Sequence, residues 1–198
     1  MIRTPAALIP YIVAVAAIVA GLLWHAGDLT AGLGRNVESG IAEIGGPFTL
    51  IDQNGKTQTA ASFHGRFMLV YFGYSFCPDV CPTTLAEMAS ALDKLGPKRG
   101  RIVPVFITID PERDTPRVLK DYMKSFGADF VGLTGSAAAI AQAAHAYHVY
   151  IKKHPLPGGY AMDHSGVIYL MGPDGRFITY YEETIGPDGL AADLRRRL

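Results

Sequence analysis

The sequence predicts an α/β domain with a β-hairpin at its front. Three observations carry this: two apolar runs of strand length, "RFMLVYF" at 66–72 and "IVPVFITID" at 102–110; intervening segments whose apolar residues recur every three or four positions; and an Asn54-Gly55 pair between two short extended stretches. The hairpin comes first, in "PFTLIDQNGKTQTAASF", because Asn-Gly supplies the left-handed turn that two-residue hairpins need. "RFMLVYF" has no polar alternation and therefore predicts a strand covered on both faces. The following helix opens with Pro82 at its first position, carries Leu85, Met88, Leu92 and Leu95 along one face and stops at Gly96. In "IVPVFITID", Pro104 is expected to mark the beginning of the strand, since an interior proline removes a ladder donor. A helix over 115–126, a short strand "FVGLT" and a helix over 136–147 follow. "SGVIYLMGPDGRFITYY" gives two strands around a Pro173-Asp174-Gly175 turn, and a last helix starts at Pro187. This order is that of a thioredoxin-like domain with an N-terminal hairpin extension.

Composition narrows the function. The chain has 198 residues, is 49% hydrophobic and balances 18 basic against 18 acidic side chains. That is enough apolar material for one core, and no global field draws nucleic acid to it. Residues 6–24, "AALIPYIVAVAAIVAGLLW", carry no charge. At about 1.5 Å per residue a helix of this length nearly crosses the roughly 30 Å hydrocarbon layer, so residues 1–26 read as an uncleaved anchor. A small-x-small cleavage site is missing near "LLWHAGD", and Arg3 before the segment orients the short end to the cytoplasm. The expected location is a bacterial inner membrane, with a Gly-rich linker at 27–46 and the domain at 47–198 facing the periplasm. The terminal run Arg195, Arg196, Arg197 complements the carbonyl end of the last helix and needs no outside partner.

The only two cysteines stand in "GYSFCPDVCPTT", residues 73–84. Three chemistries compete for Cys77 and Cys81: a structural disulfide, a redox pair and a metal site. A thiol at a helix start meets unpaired N–H groups and the positive end of the dipole, which favours thiolate. Three intervening residues, one more than in C-x-x-C, leave room for the two sulfurs to share an ion. A third ligand has to come from the six histidines. His25 lies at the expected membrane boundary, His64 in a polar turn, and His145 and His148 on or after an alanine-rich helix. His154 sits in "KKHPLPGG", read as a solvated loop. His164 stands directly before the apolar strand "VIYLM", where thioredoxin-like folds place a cis-proline opposite the active helix; here there is no proline.

Three stretches, "FGYSFCPDVCPTTL", "FITIDPERDT" and "DHSGVIYLMGPDGRF", together resemble the motifs of the Sco (SenC) family of copper chaperones for cytochrome c oxidase assembly, over essentially all of 47–198. The resemblance implies one copper held by Cys77, Cys81 and His164. Two thiolates and an imidazole suit Cu(I), and Cu(II) with an added oxygen, whereas structural zinc usually wants a fourth protein ligand. It also implies delivery to the CuA site of cytochrome c oxidase subunit II, with another periplasmic copper chaperone as donor. The alternative is a thiol-disulfide reductase keeping the CuA cysteines reduced, or a redox or copper sensor. Asp79 and Asp163 are candidates to orient ligands or meet a partner, and Met162 to supply a thioether or merely to pack. "DPERDT", 110–115, is read as a strand-to-helix loop in which Asp114 or Thr115 caps the helix, without chemistry of its own. A peroxidase is disfavoured, since Tyr74 holds the place of a peroxiredoxin threonine and the one Trp, Trp24, lies in the anchor.

Overall fold

The computed structural model describes residues 44–198, so the expected anchor and most of the linker lie outside the described residues. Among the described residues no helix is long and apolar enough to cross a membrane. A seven-stranded sheet organises the domain, in the order β2-β1-β5-β4-β3-β8-β9. The front hairpin, β1 (Thr49–Asp52) and β2 (Thr57–Thr59), forms as expected and lies antiparallel against β5 (Val131–Thr134). Asp52 closes its turn by accepting from the backbone N–H of Asn54 and Lys56 and from the Gln58 amide.

The centre is β3 (Phe67–Gly73), parallel to β4 (Ile102–Thr108) and antiparallel to β8 (Val167–Met171). All seven residues of β3 are buried, as its unbroken apolar run requires. Phe72 stacks against Tyr147 and Tyr169 at centroid distances of 5.3 and 6.3 Å. β9 (Phe177–Glu182) completes the sheet after the Pro173-Asp174-Gly175 turn. Helices α1 (Val80–Asp93), α2 (Pro116–Met123), α3 (Ala137–Ala146) and α4 (Gly186–Arg197) fall where the periodicity puts them, with Thr115 and Ser136 capping α2 and α3. α1 packs on α4 and α2 on β5, completing a thioredoxin-like α/β arrangement. At the terminus Arg196 and Arg197 pair with Asp193 of their own helix.

Three expectations are corrected. Pro104 is the third residue of β4 and lies opposite Leu69, inside the strand. β5 pairs with β4 only from Val105 onward, so at Pro104 the strand is locally an edge, where a missing N–H is tolerated. Pro82 is the third helical residue of α1, because the helix begins at Val80. It stays within the first turn, whose N–H groups have no helical partner. Finally, the region read as a loop around His154 is a hairpin, β6 (Ile151–Leu156) and β7 (Gly159–His164), which among the described residues pair only with each other. Pro157-Gly158 forms its turn, with Gly158 at φ +83. Pro155 fits in β6 because, among the described residues, only β7 pairs with that strand.

Candidate metal centre

The end of β3, the start of α1 and the end of β7 meet at one point. β3 stops at Gly73, where a Cβ would stand 3.0 Å from both Cys81 Sγ and the Phe106 ring. Glycine therefore lets the sulfur rest against the strand. Cys81, second in α1, is fully buried; Cys77, in the preceding loop, is half-buried, and both thiols are free. His164 ends β7 and brings Nε2 to 3.4 Å from Cys81 Sγ. Its Nδ1 lies 3.1 Å from the Ser165 carbonyl, which can only accept. Nδ1 therefore carries the proton, and the Nε2 lone pair faces the thiol, as it would face a metal. Tyr71 and Tyr74 meet the imidazole edge-on at 5.9 and 6.4 Å and wall the site. Beneath it Tyr71 Oη donates to Glu183 at 2.7 Å, and Gly166 leaves room for that carboxylate.

The two sulfurs differ electrostatically, and not as the helix-start argument alone suggests. Burial opposes ionisation of Cys77, but the N–H groups of Cys81, Asp79 and Val80 outweigh it and hold the thiol below its ordinary range. The Cys81 N–H lies 3.5 Å from Cys77 Sγ. Cys81 points into the core, and burial pushes it up to about 12 despite the Tyr74 backbone N–H. The helix start thus activates the cysteine before it, and Cys81, although within the first turn, is the protected partner.

The remaining candidates separate. Asp79 is exposed at the N-cap of α1 and makes no side-chain cap. Asp163 does not reach His164; its Oδ2 lies 2.6 Å from His154 Nε2 on the other face of the hairpin, which also removes His154 from the role of a solvated loop residue. The Ser165 carbonyl orients His164 instead. Met162 packs partly buried against the core. Among the described residues no three His, Cys, Asp or Glu side chains stand together as a ready ligand group. Cys81 and His164 touch, and Cys77 touches the backbone of Cys81.

"DPERDT" proves to be more than a loop. Thr115 caps α2, but Asp114 is fully buried and accepts from the Ser75 N–H at 3.0 Å, the Ser75 hydroxyl and Thr108 Oγ1 at 2.6 Å. It fixes the cysteine loop from behind. Neither periodicity nor spacing signals this; the hint was a carboxylate one residue before a cap that was already supplied.

The family model described as SCO1/SenC matches residues 36–198. The chain belongs to the SCO1/SenC family. Its relatives include the mitochondrial Protein SCO1 homolog 1 of Arabidopsis thaliana, 42% identical over 154 residues, 77% of this chain and 46% of the relative. The chain spans about half the length of that relative. The solved structure of Bradyrhizobium japonicum ScoI with copper bound is 47% identical, covers 78% of this chain and 99% of that one, and superposes with a TM-score of 0.73. BsSco, described through its disulfide switch as a member of the Sco family of cytochrome c oxidase assembly proteins, is 26% identical over 78% of this chain and 93% of its own, with a TM-score of 0.64.

Proposed function

We propose that this chain is a copper chaperone for cytochrome c oxidase assembly, holding one copper ion between Cys77, Cys81 and His164 and passing it to the CuA site of subunit II. The observation that carries the reading is the 3.4 Å approach of His164 Nε2 to Cys81 Sγ, across 83 residues of sequence. An imidazole lone pair aimed at a buried thiol beside a second thiol is a soft three-donor set. Loading requires both thiols to release their protons, which copper binding drives. A three-coordinate ion leaves a position open. An incoming thiolate or imidazole enters there before the chain's own ligands leave, so copper moves by exchange, and each released thiolate takes up a proton. The copper in the ScoI relative supports the cargo. The uncharged segment 6–24 supports an inner-membrane anchor, with 27–46 as tether and the domain in the periplasm, and another copper chaperone as donor.

The asymmetry of the two thiols favours a second reading, a thiol-disulfide reductase or redox sensor. Cys77 thiolate would attack one sulfur of a recipient disulfide and expel the other as thiolate. Cys81, giving up its proton, would then attack Cys77 and release the reduced recipient, leaving Cys77–Cys81 oxidised. The disulfide switch of BsSco is in keeping with this chemistry.

Anaerobic titration of the reduced protein with Cu(I) against a chelator separates the two. One copper per chain is expected, and His164→Ala is expected to weaken retention at least about tenfold, the lower end of what even an outer-sphere change costs a metal site. Disulfide exchange in that variant should stay near its starting rate. Unchanged retention would leave the redox reading alone.

A further inference from the structure

The two segments that carry the candidate ligands have no strand pairing to one another: Cys77 lies in the loop after β3, and His164 at the open end of a ribbon outside the main sheet, opposite Ile151. The ribbon's apolar seat is incomplete, since a cleft of about 230 Å³ lined by Ile109, Ile140, Ile151 and Met162 opens beneath it. Near His164 the ribbon meets the body through Cys81, Tyr71 and Tyr74, and the Met162 N–H lies 3.5 Å from Tyr74 Oη; toward its turn it is joined to the body by the 110–114 loop. Arg113 stands at the joint, its guanidinium 3.8 Å from the Tyr160 ring of β7, 4.8 Å from Phe76 beside Cys77, and 5.6 Å from Tyr74. Its Nη1 donates to the Tyr160 carbonyl at 3.1 Å and its Nε to Asp110. Tyr160 Oη in turn donates to Asp110 Oδ1 at 2.8 Å. Asp110 is 3% exposed, so the carboxylate that anchors the joint is desolvated, while Phe76 on its outer side is 55% exposed; the neighbouring Lys153–Glu112 pair is open to water and contributes little.

We propose that Arg113, stacked between Phe76 and Tyr160, is a positioning residue that sets the distance between the cysteine loop and His164, and so determines whether the imidazole stays on the copper. The inference rests on His164 being a copper ligand. One side of the clasp is fixed by Asp114 on Ser75, two residues before Cys77. The other side grips the strand four residues before His164. A planar, permanently charged group that stacks on both faces and donates at its edge suits this joint; lysine, a point charge on a flexible stem, does not.

The test is made on the intact protein, first without metal. Hydrogen exchange of amides 159–164 is expected to quicken at least tenfold in Arg113→Gln and in Tyr160→Leu, with β3 amides unmoved. On loading with Cu(II), both variants should lose the wild-type thiolate-to-copper spectrum and approach that of His164→Ala. Tyr160→Phe, which keeps the stacking ring, should retain it. Val105→Ala, a buried truncation in β4 away from the clasp, supplies a destabilised control whose spectrum should not change. Should Arg113→Gln fail to fold, Tyr160→Leu at its half-buried position carries the comparison. Wild-type exchange at 159–164 together with a wild-type spectrum in the clasp variants overturns the proposal. If His164→Ala itself leaves the spectrum unchanged, the ligand assignment fails, and the positioning role with it, even where the metal-free exchange shows that Arg113 holds the ribbon.

Discussion

Cys81→Ala is expected to abolish copper retention while the domain stays folded. The sulfur is one buried heavy atom against Gly73, and its loss costs the fold about 1 kcal/mol, of the order of one buried methylene. For the site the loss is far larger. Cys81 is the thiol in contact with His164, and without it the remaining donors are a half-exposed Cys77 and an imidazole with nothing holding them to a common ion. Retention should fall by more than the about 10–100-fold typical of outer-sphere changes. Chelator competition and a urea melt on the same sample measure the two effects separately.

Asp114→Ala should produce the largest loss of stability. Its carboxylate takes the Ser75 N–H and hydroxyl and the Thr108 hydroxyl, and alanine strands all three. Each buried donor left without a partner costs about 1–3 kcal/mol, so a total of about 3–5 kcal/mol is expected after partial rehydration. That lowers Tm by roughly 10 °C or more for a domain of this size. pH adds a check. Burial raises the Asp114 carboxyl, and the hydrogen bonds from Ser75 and Thr108 oppose the rise without cancelling it. The folded state therefore binds this proton more tightly than the unfolded chain does. The stability so conferred is full below the ordinary aspartate range, near 3.9, and fades as pH rises through the raised folded value. Asp114→Asn lacks this titration, so the advantage of wild type over Asn should be greatest in acid and shrink above it. Melts of both proteins from acid to neutral pH measure that trend.

The sequence made the sheet legible where burial is complete. β3 has one reading because seven consecutive buried residues leave no alternation to misjudge, and β8 and β9 followed from a strong turn. The β6–β7 ribbon was hidden because "IKKHPL" has no buried face and carries a proline, although Pro157-Gly158 was a turn signal with an extended run on either side. Cys77, Cys81 and His164 were found as residue types in suggestive places, and Cys81 and His164 do touch. Which thiol ionises was not readable. The helix opens at Val80, two residues before the expected Pro82, and this directs one sulfur to the N–H groups and the other into the core. The roles of Arg113 and Asp114 were equally out of reach. Ser75 and Asp114 are separated by 39 residues, and no local pattern records that the fold brings them together.

The coordination of copper in the loaded protein tests the account most directly. X-ray absorption on the Cu(I) form of the intact chain is expected to give two sulfurs and one imidazole nitrogen per copper, with the nitrogen lost in His164→Ala. A sulfur-only shell, or a nitrogen that survives that substitution, would contradict it.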